Sequence, residues 1–372
     1  MLRKLFVAAI AMQFSVFVFG QDVATTSPPP ASGAAATDNT GTEKKPFLNI
    51  TGSADVYYRY DFAKTKANNY TSFTNSQNAF TLGMASVKLE HHSDKVGFVA
   101  DLGFGPRAKE FSYNDEGITQ AIKQLYISYN ATSWLKFTAG TWATHVGYEL
   151  VDPQLNRNYS MSYMFTNGPF THTGLKAELS KGKHGLMVGI SNATDYRTPP
   201  DGYINKKFFI AQYSYAANDN WKFYLNYVGG KSPDTSTTSQ FDAVITGKIS
   251  DKFSIGYNGT IATIKAWDGA KNVDGKSWGG SALYLNLDPK SWFGLTLRGE
   301  YFSDKNQLKT FATAPEGGNI FATTLSANFK VDGFILIPEF RFESATKDIY
   351  VDKSGKPAGT AGNFLIAAIY SF

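Results

Sequence analysis

The chain has 372 residues, with 36 Lys or Arg against 31 Asp or Glu, which gives a formal net charge of +5 at pH 7. It contains no cysteine, so disulfide frameworks, thiolate metal sites and cysteine nucleophiles are excluded. The nearly balanced charge, without a cluster of Lys and Arg, gives no footprint for nucleic-acid binding.

The first twenty residues have the pattern of a secretory signal. Arg3 and Lys4 precede an apolar run over residues 5–19, which ends at Gly20. The run is short for a membrane-spanning helix and is interrupted by polar residues. We therefore predict that residues 1–20 are a cleaved signal peptide and that the mature chain has no membrane helix.

Residues 21–46 are rich in Pro, Ala, Ser and Thr and show no apolar periodicity. Such a segment buries too little apolar surface to offset the entropy lost on ordering. It is predicted to be a flexible periplasmic segment that precedes a folded domain at residues 47–372.

From residue 47 onward we find runs of alternating apolar and polar residues, most of them about ten to fourteen residues long, and no helical periodicity. Sixteen runs are predicted as strands: 47–62, 79–92, 96–104, 118–130, 134–147, 171–180, 185–193, 206–216, 220–230, 240–250, 252–265, 278–288, 291–303, 319–330, 333–344 and 361–372.

The connections between these runs alternate between short and long. Residues 93–95 and 131–133 are short connections, whereas 63–78 and 148–170 are long and rich in Gly, Asn, Asp, Ser, Thr and Pro. Short periplasmic turns on one rim and long outer loops on the other are typical of outer-membrane barrels.

Alternation alone also fits a soluble β-sandwich with one polar face. Strand length favours a membrane barrel, because soluble strands cluster near five or six residues and about ten are needed to cross a bilayer. In the run 291–303, Leu295 and Leu297 alternate with Thr296, Arg298 and Glu300. Because a charge in hydrocarbon is costly, the apolar face is expected to meet lipid and the charged face to line water.

An open sheet would leave two unpaired edges in lipid, so the sixteen predicted strands must close into a barrel. A barrel of this size leaves an aqueous channel, whereas eight strands are filled by their own side chains. We therefore predict an all-β, transmembrane antiparallel β-barrel of 16 strands. Pro338 lacks a ladder donor in the fifteenth strand and implies a bulge or a misplaced strand boundary.

Aromatic residues make up 15% of the chain, and several flank the short connections, among them Tyr129, Trp134 and Trp292. This pattern indicates an interfacial belt, although aromatic residues beside the turns of a soluble sheet would look the same. Tyr370 and Phe372 end the last strand on its predicted lipid face. We assign these two residues to the signal that the barrel-insertion machinery reads.

The stretch at residues 140–176, GTWATHVGYELVDPQLNRNYSMSYMFTNGPFTHTGLK, resembles the corresponding region of the OmpL-like β-barrel porins of Gram-negative bacteria. That family has a similar succession of Gly, Glu, Asn, Tyr-Ser and Thr-Gly after its fifth strand. The signal peptide, the strand spacing over residues 47–372 and the aromatic carboxyl terminus agree with it. The resemblance implies passive diffusion of solutes and no catalytic residues.

Catalytic and metal-binding sites have little support in the sequence. His145 and His172 bracket the longest loop, with Ser160 and Ser162 between them, but no nucleophile motif surrounds either serine. No acidic spacing matches a calcium loop. We therefore expect no enzyme activity, no cofactor and no metal site.

The predicted function is a porin for passive diffusion of small hydrophilic solutes and ions. A substrate-selective channel, for example for sugars, and a surface barrel for adhesion or anchoring remain alternatives. The expected partners are outer-membrane lipid, the barrel-insertion machinery, the solutes and ions themselves, and further copies of the chain in a homotrimer. Nucleic acid is not an expected partner.

The connection at residues 148–170 is the longest outer loop and is unusually apolar and aromatic. It lies either on the surface or inside the lumen, where it would have something to pack against, and we expect the second. Its Glu149, Asp152 and Arg157 would then form a pore constriction with cationic wall residues. These wall residues are Arg59, Lys136, Arg298 and Arg341. Opposed charges across a narrow aqueous gap would set ion selectivity.

Overall fold

The computed structural model describes residues 47–202 and 205–372. The predicted signal peptide and the segment at residues 21–46 lie outside this part of the chain. No helix within the described part is long and apolar enough to cross a membrane.

Sixteen strands form one closed antiparallel barrel. They are β1 (Phe47–Asp61), β2 (Ala79–His92), β3 (Val96–Phe104), β4 (Ile122–Asn130), β5 (Leu135–Ala143), β6 (Thr171–Lys181), β7 (His184–Asn192), β8 (Lys207–Ala216), β9 (Trp221–Lys231), β10 (Thr237–Lys248), β11 (Phe253–Lys265), β12 (Lys276–Lys290), β13 (Phe293–Asp304), β14 (Gly318–Val331), β15 (Phe334–Ala345) and β18 (Thr360–Ser371). A small hairpin of β16 (Tyr350–Val351) and β17 (Pro357–Ala358) lies in the last long loop. The predicted all-β barrel of 16 strands is therefore confirmed.

Several local predictions were wrong. Residues 117–121 form a 3₁₀ helix, so β4 begins only at Ile122. Strand β5 ends at Ala143, and residues 144–147 leave the wall. Two short helices, α1 (Pro106–Phe111) and α2 (Tyr163–Asn167), and a 3₁₀ turn at Pro153–Leu155 lie in loops where no helical periodicity was found. Each is too short to give a periodic signal in the sequence.

Side chains alternate between the lumen and the outer face along each strand. In β13, Arg298 and Glu300 are buried inside the barrel, whereas Leu297, next to Arg298, is 40% exposed on the outer face. Trp134 and Trp292 are more than half exposed on the outer face, beside the short turns. We call the end of the barrel with these turns the short-turn end and the opposite end the long-loop end.

Pro338 disturbs the wall less than predicted. The ladder between β14 and β15 pairs Ser326 with Glu339 and resumes at Phe329 with Leu336, so the register does not shift across the gap. The expected bulge or misplaced boundary was therefore wrong. The missing N–H interrupts the ladder and leaves the strand in place.

The barrel closes between its first and last strands. The β1–β18 ladder runs from Ser53 and Ser371 to Asp61 and Asn363, and Gly52 exchanges backbone hydrogen bonds of 3.0 and 3.1 Å with Phe372. A Cβ on Gly52 would lie 2.7 Å from Cζ of Phe372, so the ring covers a position that only glycine leaves open.

We expect unboiled protein in detergent to migrate differently from boiled protein on a denaturing gel. A closed ladder offers no edge at which detergent can begin to open the sheet. Gel mobility with and without heating, together with circular dichroism, checks this. Identical mobility combined with a helical spectrum would contradict the closed barrel.

Changing Phe372 to Lys should reduce the amount of assembled barrel in the outer membrane several-fold, because the closing strand then ends in a charge on the lipid face. Thr40→Lys, in the segment before the barrel, is the matched control and should leave that amount unchanged. Quantitative blotting of outer-membrane fractions measures both. Normal levels of the Phe372 variant would remove its role in assembly.

Candidate functional site

The third long loop, residues 144–170 between β5 and β6, lies inside the barrel. Its residues Tyr159, Met161 and Tyr163 have no exposed surface at all. Because most of this loop has no regular secondary structure, its backbone N–H groups need partners other than neighbouring turns or strands. The inner wall supplies many of them.

Two wall glutamates bind the backbone of this third loop. The carboxylate of Glu339 on β15 accepts hydrogen bonds from the N–H groups of Tyr159 and Ser160, at 2.9 and 3.2 Å. Glu300 on β13 accepts one from the N–H of Tyr163, at 2.9 Å. All of these atoms are buried, so each bond is made without competition from water.

A third carboxylate, Asp242 on β10, holds the beginning of the loop. It accepts a 3.0 Å hydrogen bond from the N–H of Gly147, whose φ of +95° is a conformation that favours glycine. Asn226 and Asn258 on the neighbouring strands donate to the same carboxylate, at 2.7 and 2.6 Å. These donors stabilise the ionised form of a buried acid.

Two wall arginines bind the middle of the loop. Arg298 forms a 2.5 Å ion pair with Glu149 and donates to the carbonyl of Ser160 at 2.7 Å. Arg341 donates to the carbonyl of Met161 at 3.1 Å. Glu300 lies between the two guanidinium groups, 2.8 Å from that of Arg298 and 3.1 Å from that of Arg341.

The opposite wall binds the loop at Asp152, three residues after Glu149. Asp152 pairs with Lys123 of β4, whose ammonium also lies 3.0 Å from Asp101 of β3. Arg107 in α1 donates to the carbonyl of Val151 at 3.2 Å. The loop therefore bridges the lumen, since Glu149 binds β13 on one side.

Nothing in the sequence indicated that the side chain of Lys123 faces the lumen. Its position in the alternation of β4 matches that of Leu125, which is 41% exposed on the outer face. The ladder shifts register between Asp101 and Leu102, however, and this bulge turns Lys123 into the lumen. Sequence periodicity cannot locate such a shift.

Farther along the loop, Arg157 reaches toward the short-turn end. Its guanidinium makes two hydrogen bonds with Asp288 on β12, at 2.7 and 2.9 Å, and a third with Thr296 at 2.8 Å. Its carbonyl accepts a bond from Asn328 at 2.9 Å. Of the candidate constriction residues, the loop thus brings Glu149, Asp152 and Arg157 to the wall.

Only two of the four cationic wall residues predicted for the constriction contact the third loop. Arg298 and Arg341 contact the third loop as described, whereas Arg59 pairs with Asp61 and donates to the first long loop. Lys136 pairs with Glu178 at 2.9 Å. The expected aqueous gap between opposed charges is also wrong at two points, because Glu149 and Asp152 are in direct contact with their cationic partners.

Apolar packing accompanies the polar bonds. Side chains from the first three long loops form one buried cluster, which consists of Phe73, Phe111, Val151, Met161, Phe165 and Phe170. On the wall, Leu365, Ala367 and Ile369 form an apolar patch against which Tyr159 packs. The third loop is therefore held by apolar burial as well as by hydrogen bonds.

The two histidines that bracket the loop come together, with ring centroids 5.1 Å apart. His145 binds the carbonyl of Tyr227 through Nε2, and His172 binds the hydroxyl of Thr144 through Nε2, each at 3.0 Å. Since a carbonyl only accepts, Nε2 of His145 carries the proton in its neutral form. Burial lowers the pKa of His145 to about 4.

Neither nearby serine joins this histidine pair. The hydroxyl of Ser162 caps α2 by accepting from the N–H of Phe165 at 3.1 Å, and that of Ser160 accepts from Arg298 at 3.3 Å. Within residues 47–202 and 205–372, no three His, Asp or Glu residues are grouped so that they could hold a metal ion.

Comparison with known proteins gives one family match. The model of the family described as "Putative beta-barrel porin-2, OmpL-like" matches residues 47–372. Curated protein sequences contain no match to the chain.

Several solved structures share the fold. The outer membrane channel DcaP of Acinetobacter baumannii superposes with a TM-score of 0.60 and 12% identity, covering 90% of this chain and 100% of that one. The anion-selective porin from Comamonas acidovorans gives 0.58 and 9%, covering 88% and 100%. A trimer form of OmpT, an outer membrane protein of Vibrio cholerae, gives 0.57 and 11%, covering 88% and 99%. At these identities the likeness concerns the fold alone.

The low pKa of His145 predicts that acid loosens the start of the third loop. A solvated histidine takes up a proton as the pH falls below about 6.5, whereas the buried one resists until about 4. The packed conformation should therefore lose up to about 3 kcal/mol across this window and nothing above it.

A spin label on Gln154→Cys, in a chain with no other cysteine, should become more mobile between pH 6.5 and 5. His145→Phe should reduce this change, and His184→Gln, at the short-turn end, should leave it intact. An equal pH response in the His145 variant would show that another group controls the loop.

Proposed function

The chain belongs to the OmpL-like β-barrel porin family and forms an outer-membrane channel, and we propose that its third loop sets the size and charge of the passage. The observation that carries this proposal is the bridge across the lumen. Glu149 binds Arg298 on one wall, and Asp152, three residues later, binds Lys123 on the other. A solute crossing the barrel must pass beside this bridge.

The proposal includes an orientation and an assembly. The short turns and the segment at residues 21–46 would face the periplasm, and the long loops the outside. The insertion machinery would read Tyr370 and Phe372, both exposed on the outer face. We also propose that the chain forms a homotrimer in the outer-membrane lipid. It would transport solutes without catalysing a reaction.

A sugar-selective channel is the second candidate, because aromatic rings lie beside the loop. Tyr148 stacks on Tyr284 with ring centroids 4.2 Å apart, next to Arg157. The cavity lined by these residues measures only about 10 Å³, the size of one water molecule. A sugar ring does not fit in this cavity, so the stacked tyrosines form no enclosed binding site for one.

Neutralising both loop carboxylates, as Glu149→Gln with Asp152→Asn, should shift the reversal potential toward anion preference. Arg298 and Lys123 would each lose one anionic partner while keeping Glu300 and Asp101, and the passage would gain positive charge. Reversal potentials in a salt gradient across planar bilayers measure this. Asp201→Asn with Asp274→Asn, both exposed on long loops, is the matched control.

Unchanged selectivity in the loop variant would place both carboxylates outside the ion path. Because removing one partner of a buried ion pair costs about 3–5 kcal/mol, each variant is first checked for heat-modifiable migration.

Deleting residues 150–165 should increase single-channel conductance, because the bridge and most of its wall contacts are removed together. Conductance histograms of the wild type and the deletion variant in the same bilayers make the comparison. Equal conductance would mean that the third loop does not limit the passage.

A further inference from the structure

The lumen between the third loop and the short-turn end has an uneven charge. Six cationic side chains face it: Lys88, Lys136, Lys176, Lys222, Lys330 and Arg157. Three carboxylates face it as well, those of Glu90, Glu178 and Asp288, and a fourth, Asp101, lies across the β2–β3 ladder from Lys88 and is paired with Lys123. We call this part of the lumen the lysine vestibule.

The alternation of burial fixes the inward direction of these lysines. On β9, Asn226 is 3% exposed and Leu225 is 60% exposed, so Lys222 lies on the inner face with Asn226. On β2, Ser86 is 7% exposed and Val87 is 42% exposed, which places Lys88 on the inner face too. The same parity places Lys136, Lys176 and Lys330 inside.

The vestibule carboxylates are already paired. Glu90 lies 2.7 Å from Lys88, and Asp288 binds Arg157. Glu178 lies between two ammonium groups, 2.9 Å from Lys136 and 3.4 Å from Lys176. Positive charge is therefore in excess in this part of the lumen.

Lys222 adds to that excess. It forms no ion pair with any residue in the described part of the chain, and its side chain is only half-buried. It therefore presents a hydrated ammonium group to the lumen.

The acidic residues nearer the middle of the barrel do not cancel the positive charge in the water-filled part of the vestibule. Asp242 and Glu339 are 5% and 1% exposed, and each accepts hydrogen bonds from buried N–H groups. Glu149 and Glu300 are in contact with arginines. A solute in the vestibule thus meets ammonium groups more often than carboxylates.

We propose that the lysine vestibule makes this channel prefer small anionic solutes, those that carry a carboxylate or a phosphate group. This inference rests on the proposed porin function and specifies its solute class. The charges act through water enclosed by low-dielectric walls, which concentrate their field along the passage. The Debye length is about 10 Å at 0.1 M salt, so the preference should weaken as salt rises.

The test is the reversal potential of the full-length channel in planar bilayers under a potassium chloride gradient. The wild type should pass chloride more readily than potassium. Lys88→Gln with Lys136→Gln and Lys222→Gln should lower the chloride-to-potassium permeability ratio several-fold. Lys305→Gln with Lys353→Gln and Lys356→Gln, exposed on the long loops, should leave that ratio unchanged.

Lys222→Glu alone provides a second variant, because Lys222 holds no ion pair that folding depends on. It should also lower the chloride-to-potassium permeability ratio.

Replacing chloride by acetate or by inorganic phosphate tests the carboxylate and the phosphate chemistry separately. Each of the two anions should be more permeant than potassium at low salt. A conducting wild type that prefers potassium, or vestibule variants with the wild-type ratio, would overturn the inference and leave the porin function standing. A wild type that forms no channel would overturn both.

Discussion

The arrangement inside this barrel depends on where the backbone N–H groups of the third loop find acceptors. A loop without regular structure, enclosed by a barrel wall, must satisfy its polar backbone from outside itself. Asp242, Glu300 and Glu339 do so from three different strands, and the chain direction between them is thereby fixed. The position of every charged side chain on the loop follows from these few bonds.

The buried arginines and glutamates beside these hydrogen bonds affect the placement of the third loop more than its stability. Arg298 and Arg341, with Glu149, Glu300 and Glu343, are buried almost completely, and desolvation costs several kcal/mol per ion. Such a network adds little net stability, but any misplacement of the loop would leave a charge unpaired. Its effect is to favour one placement over others.

Much of the fold could be predicted from the sequence. Alternation with a period of two residues located β2 (Ala79–His92) and β3 (Val96–Phe104) to the residue, because each strand separates lipid from water. The composition of the third loop also favoured a buried position. The roles of Glu339 and Asp242 were not predictable, because a carboxylate that binds a distant backbone leaves no spacing in the sequence. Lys123 was missed for the separate reason that a bulge reverses its face.

The closing pair of strands has a consequence for the order of folding. Every other neighbouring pair in the barrel joins strands that are consecutive among the barrel strands, so it can form from a local hairpin. Only β1 and β18 must meet across the whole length of the chain, and such non-local pairings form slowly because loop closure is costly in entropy. Their pairing continues one residue beyond β18 to Phe372, which bonds to Gly52. The ring can therefore be sealed only after β18 has been synthesised, and until then the edges of β1 and β15 remain unpaired.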